Sequence, residues 1–159
     1  MLSEDKQLRL FGLVCRELKD SSFPIPESTE NETSYTGRVL FPWLKNLVGE
    51  LNEPDLYVRG DGGPEVIPVF WQGISFYPDL TIVSSNLKYL AFEVKFLREG
   101  DPGGALTKAI GQTFIYSHFG YSRSIGLIFD FRFPIGKHYA KSYEIPLDAN
   151  RVALYFQAN

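Results

Sequence analysis

Two runs of β-branched and aromatic residues, Phe76 to Val83 and Lys88 to Phe96, are separated by the turn-forming Ser84-Ser85-Asn86, and this pairing constrains the chain more than any other stretch. Such runs around a polar break predict a β-hairpin. Asp79 and Glu93 are equidistant from Asn86. A hairpin centred there sets the two acids opposite each other, and side-chain alternation along the strand puts Lys95 on their face. Asp79, Thr81, Tyr89, Ala91, Glu93 and Lys95 are then expected on one face, with Leu80, Ile82, Leu90, Phe92, Val94 and Phe96 on the other. A slip of one residue would scatter the acids and break the uniformly apolar set, so the pattern itself selects the register.

Two carboxylates and an ammonium on a half-buried sheet are costly unless something compensates the charge. A divalent cation does so. Mg²⁺ takes oxygen ligands, commonly one or two carboxylates completed by water and phosphate. Asp79 and Glu93 supply the carboxylates, the Val94 backbone carbonyl a third oxygen, and Mn²⁺ would substitute for Mg²⁺. Lys95 would then orient or deprotonate an attacking water, or stabilise charge on a phosphorane-like transition state. The constellation therefore points to metal-dependent phosphodiester cleavage. The competing reading is a surface ion pair on a solvated hairpin, worth roughly 0–1 kcal/mol. Pro78-Asp79 at matching parity, with both strands apolar behind, favours the metal.

The segment resembles the PD-(D/E)xK nuclease superfamily, with Pro78-Asp79 as the first element and Glu93-Val94-Lys95 as the second. Gln112-Thr113-Phe114-Ile115-Tyr116 fits the Q-x-x-x-Y signature of its RecB-like branch. The resemblance is specific from Phe76 to about Phe131. It implies an α/β fold of restriction-endonuclease-like type, an α/β/α sandwich with a central mixed β-sheet, and Mg²⁺-dependent hydrolysis of DNA. Many members add a glutamate from an early helix to the metal site. Glu32 is the candidate, Glu17 and Glu50 are the alternatives, and Glu32 is equally a residue favoured by the dipole at a helix N-terminus.

Around the Q-x-x-x-Y segment a helix is expected on independent grounds. Asp101 can cap it, Pro102 suits the first helical position and Gly120 stops it. Leu106, Ile110 and Phe114 recur at four-residue spacing as the expected core stripe. Lys108, Gln112 and Tyr116 form a second stripe, which would position the substrate strand or, on the plainer reading, lie as a solvated edge with Tyr116 against the core.

Upstream, Glu4 to Lys19 reads as an amphipathic helix and Ser21 to Asn31 as a loop. A second helix is predicted from Glu32 or Thr33 to Leu51, kinked at Pro42 or starting only near Phe41. Strands are expected at Leu56 to Arg59 and Val66 to Gln72, turning at Asp61-Gly62-Gly63-Pro64, and further strands at Ser124 to Phe131 and Val152 to Phe156. Arg132 to Leu147 reads as loop with a short helix.

At 159 residues and 44% hydrophobic, residues 1–159 suit a single domain with a substantial core. The lone Cys15 excludes an internal disulfide and predicts a reducing, cytoplasmic compartment. No apolar run approaches membrane-spanning length and Met1 to Asp5 lacks a secretory pattern, so no membrane partner is expected. His118 and His138 show no zinc spacing, and Asp130, at the end of an apolar strand, either touches the site or simply marks the strand terminus. Net charge is −3, split between −6 up to Leu87 and +3 from Lys88 onward. DNA is the expected partner, with modest intrinsic grip and with a homodimer or partner subunit as a means of strengthening it. The rival reading is a non-catalytic nucleic-acid-binding or assembly module of the same fold.

Overall fold

In the computed structural model, which describes residues 3–132, 136–148 and 151–158, the chain opens with helix α1 (Glu4–Asp20). Ser3 caps it by accepting the Lys6 N–H, and Leu10, Phe11, Val14, Cys15 and Leu18 form its buried stripe. Met1 and Leu2 of the N-terminal reading lie outside the described residues.

The second helical region is continuous but broken in character. One α-turn, α2 (Glu32–Tyr35), capped by Asn31, passes into a π-helical turn (Thr36–Leu40) and then α3 (Phe41–Glu50). The Phe41 N–H reaches back to the Thr36 carbonyl. The wider π-turn immediately precedes Pro42, whose ring and missing donor a regular α-helix would not accommodate.

The sheet has six strands in the order β1-β4-β5-β6-β8-β7: β1 (Tyr57–Gly60), β4 (Leu80–Ser84), β5 (Leu87–Leu97), β6 (Arg123–Asp130), β7 (Lys141–Asp148) and β8 (Val152–Ala158). The β5-β6 and β6-β8 pairs are parallel and the rest antiparallel, so the chain is mixed α/β around a central mixed sheet. Helix α4 (Pro102–Phe119), capped by Asp101 as expected, makes the crossover from β5 to β6. Helices α1 and α3 pack on one face of the sheet, against Leu80, Ile82, Leu90, Phe92, Val94 and Phe96, while α4 covers the other.

Several expectations change. Val66 to Gln72 does not pair with β1. Only β2 (Val69–Trp71) is a strand, and with β3 (Ile74–Phe76) it forms a separate two-stranded hairpin. Phe76 therefore closes β3 rather than opening the acidic strand, because Tyr77-Pro78 interrupts the ladder before Leu80. The stretch expected to be loop and short helix contains β7, although residues 133–135 of it lie outside the described residues. Strand β7 is an edge strand with mostly exposed side chains and a proline at 146, a composition that an edge tolerates and that hides the strand from pattern reading. On α4 the most deeply buried residues are Ala109, Thr113, Tyr116 and Ser117, whereas Leu106, Ile110 and Phe114 are only half-buried. A Cβ at Gly126 on β6 would lie 3.0 Å from the Thr113 hydroxyl, so small residues let α4 approach the sheet closely.

Candidate active site

The hairpin register follows the centre at Asn86: Leu80 pairs with Phe92, Thr81 with Ala91 and Ile82 with Leu90. A bulge then shifts Val83 onto Lys88, leaving Tyr89 as the extra residue. Tyr89 was expected beside the acids. The bulge turns it to the opposite side, where it is buried with Leu90 in the α1 core and donates its hydroxyl to the Gln7 carbonyl.

Asp79 precedes the first paired residue of β4 and is held through its backbone. Its N–H donates to the Phe92 carbonyl (3.0 Å) and its carbonyl accepts from Asp61 N–H (3.1 Å). Gly60, at φ 136°, makes this approach possible, since a Cβ there would sit 2.2 Å from the Asp79 carbonyl oxygen. The Asp79 carboxylate accepts the Val94 N–H through Oδ2 at 2.6 Å. Glu93, 3% exposed, lies beneath α4, where Tyr116 OH donates to its Oε2 at 2.8 Å and Lys95 Nζ is 3.4 Å from its Oε1. Lys95 also donates to Glu32 Oε2 at 3.2 Å, and the other Glu32 oxygen accepts the Phe96 N–H at 2.9 Å. The structure thus joins Glu32, Glu93, Lys95 and Tyr116 in one polar network, with Asp79 beside it on the Val94 N–H and coupled to Glu93 and Lys95 through charge.

The electrostatics follow from burial. Desolvation lifts both Asp79 and Glu93 above the usual carboxylate range. Repulsion from Glu93 adds to the shift at Asp79, while the Tyr116 hydrogen bond and Lys95 restrain that of Glu93. Burial alone would lower the Lys95 pKa, but Glu93, Glu32 and Asp79 together outweigh it and raise it. Lys95 is therefore held as an ammonium. Tyr116 is buried against the Glu93 carboxylate, and both influences push its pKa up.

Of the remaining residues, Gln112 Nε2 is 3.4 Å from the Tyr116 hydroxyl and its Oε1 is buried with no hydrogen-bond partner. Tyr116, expected among the substrate-positioning residues, is wholly buried, and its hydroxyl meets Glu93 (2.8 Å) and the Tyr77 carbonyl (3.1 Å). Lys108 is exposed on the same helix. Glu17 pairs with Arg16, Glu50 is exposed at the end of α3, and Asp130 pairs with Arg132, so none of these joins the network. Sequence reading missed Asp61, whose charge acts on Asp79 and whose Gly-rich loop signalled only a turn. A groove of about 630 Å³, lined among others by Gly60, Asp61, Gly63, Tyr77 and Asp79, opens beside the network.

The donors of this region are carboxylate oxygens, the type a hard divalent cation takes. Asp79 retains one oxygen outside the Val94 contact, and Glu93 and Glu32 offer further oxygen lone pairs. Among the described residues no group of three His, Cys, Asp or Glu side chains gathers into a complete cage. Sulfur and imidazole are absent from the network, which leaves oxygen chemistry completed by solvent and substrate. Comparison of the chain with protein families, characterised proteins and solved structures yields no match. No helix among the described residues is long and apolar enough to cross a membrane.

Proposed function

We propose that the chain is a Mg²⁺-dependent deoxyribonuclease of the PD-(D/E)xK kind, with a restriction-endonuclease-like arrangement of its α/β layers. The observation carrying this reading is the buried Asp79 and Glu93 pair, tied through Lys95 to a third carboxylate, Glu32, from a different element. A buried like-charged pair is costly, and structural packing alone gives no reason to keep it.

Asp79, Glu93 and the Val94 carbonyl would hold the metal, with Glu32 as the further carboxylate. When bound, Mg²⁺, or Mn²⁺ in its place, supplies Lewis-acid polarisation of a phosphate oxygen and a more acidic water. Tyr116 fixes the Glu93 carboxylate so that it needs no reorganisation during reaction. Lys95, kept protonated by its carboxylate neighbours, donates to negative charge developing on the phosphate rather than removing a proton. Lys108, exposed one turn before Gln112, would meet the strand backbone, and DNA is the substrate proposed.

The test is incubation of purified protein with Mg²⁺ or Mn²⁺ and linear, circular, single-stranded and branched DNA, with RNA alongside. Cleavage should vanish in Asp79→Ala and in Lys95→Ala, with circular dichroism unchanged. Full turnover in either variant would refute the assignment. The acidic balance of the chain, with a net charge of −3, favours a second reading, a non-catalytic nucleic-acid-binding or assembly module. Calorimetric titration with Mn²⁺ separates the two, since carboxylate-dependent binding belongs only to the nuclease. Gel filtration with and without DNA tests for the homodimer.

A further inference from the structure

The hairpin β2-β3 lies outside the main sheet and leads directly into Tyr77-Pro78-Asp79. It is anchored by Val69, buried against Tyr116 and Tyr121 under the end of α4. A Cβ at Gly120 would lie 2.4 Å from a Val69 methyl, so the helix end is cut short to seat it. Beyond that anchor the hairpin turns large side chains outward. Phe70 is 67% exposed, Ile74 56% and Tyr77 62%, while Trp71 stacks on Phe119 with ring centroids 5.1 Å apart. From Val66 to Pro78 there is no charged residue. Exposed aromatics in such density on an uncharged projection are unusual for a solvated surface.

We infer that this hairpin is a stacking platform for unpaired nucleobases, delivering a single strand to the groove beside Asp79. The inference rests on the nuclease reading of that site and names the form of nucleic acid it takes. Register supplies the geometry. Phe70 pairs with Ser75 and so lies on the opposite face of the hairpin from Val69 and Trp71, and Tyr77 directly follows the last paired residue, Phe76, so both exposed rings flank the path from the hairpin to Asp79. Tyr77 also lines the groove that ends at Asp79, and the volume of about 630 Å³ there suits a small-ligand site rather than a duplex. Asp61 and Glu65 line the same groove and repel phosphate, which favours bases rather than backbone beside them.

A second copy of the chain is the other occupant to consider. At their exposures, which for Trp71 and Phe119 are 38% and 50%, the side chains of Phe70, Trp71, Ile74, Tyr77 and Phe119 together present roughly 500 Å², short of the roughly 800 Å² per partner of a stable interface. Bases are the better match, because aromatic faces stack on them without regard to sequence.

The experiment measures affinity by anisotropy of fluorescein-labelled twelve-residue oligothymidylate, oligouridylate and a blunt duplex of equal length, in EDTA so that no cleavage intervenes. Single strands should bind at least about tenfold more tightly than the duplex. Phe70→Ser and Tyr77→Ser should each weaken single-strand binding about tenfold, and Phe70→Trp should restore it. Both substituted residues are exposed, and circular dichroism confirms the fold of each variant. The thymidylate and uridylate arms report whether the strand is DNA or RNA, and binding of either supports the platform. Equal affinity for duplex and single strand, unaltered affinity in both serine variants, or a dimer in sedimentation that those variants dissolve would each overturn it. Because binding is read without metal, failure of the nuclease reading shows separately, as absence of cleavage with intact binding.

Discussion

The two faces of the β4-β5 hairpin are built on opposite terms. Toward α1 and α3 the strands present Leu80, Ile82, Leu90, Phe92, Val94 and Phe96, and cohesion there is the sum of many non-directional contacts. Toward α4 the same strands present Glu93 and Lys95, with Asp79 just before β4, each held by one or two named polar contacts. One face is robust because no individual contact is decisive. The other is costly to build, since desolvation raises both carboxylates and the cation must be shared among them. Stability and chemistry are therefore divided across the thickness of one hairpin.

Substitutions on the two faces should have opposite signatures. Asp79→Asn is expected to lower Mg²⁺-dependent cleavage by at least about 10³-fold, or ~4 kcal/mol. It should also raise the stability of the metal-free protein by about 0.5–2 kcal/mol by relieving repulsion at Glu93. Initial-rate assays and thermal melts in EDTA measure both, and a less stable variant would break the contrast. Phe92→Ala, on the wholly buried apolar face, should cost about 3–5 kcal/mol in urea denaturation while the folded fraction remains active.

Between these extremes lies Tyr116→Phe. The substitution keeps the ring packing but removes a hydroxyl whose single proton is directed at Glu93, with the Tyr77 carbonyl as the longer alternative. A 10–100-fold loss of metal affinity is expected, as for other partners that orient a metal-binding carboxylate. Calorimetric titration with Mn²⁺ would detect it. Unchanged affinity would mean that the tyrosine serves packing alone.

The same division explains what the sequence makes legible. Apolar alternation over Leu80 to Phe96 identifies the hairpin and its centre, because a one-residue slip would expose the whole apolar set. The Tyr89 bulge escapes this logic, since two consecutive large residues facing one core leave no polar residue to mark the irregularity. Glu32 was one of three candidate acids on the strength of its place before a helix, and its contacts with Lys95 and Phe96 distinguish it from Glu17 and Glu50. That choice depends on where α2 docks, which no local pattern encodes. Strand β7 was hidden by Pro146 and by exposure on both faces, and the α4 core face by its small residues. The recurrence of Leu106, Ile110 and Phe114 drew attention to a stripe that is only half-buried.

A further expected effect belongs to the apolar side and carries a pH signature of its own. Burial lifts the Cys15 thiol from 9.0 to about 11, a shift that the hydrogen bond with Tyr155 only partly offsets. Between those values the unfolded chain has lost a proton that the folded chain keeps. The folded state is thus favoured below pH 9, and its advantage declines as pH rises through 11. The full loss is of the order of 3 kcal/mol, from about 1.4 kcal/mol per pH unit over the interval between 9.0 and about 11. Tyr89 and Tyr155, also raised by burial, titrate in the same alkaline direction, so the slope of the wild-type protein alone would not isolate the thiol. Denaturation of wild type and Cys15→Ala at intervals from pH 8 to 11 does isolate it. The difference between the two should narrow as pH rises, whatever the cavity costs at pH 8, and a constant difference would show that the thiol takes no part in the alkaline loss.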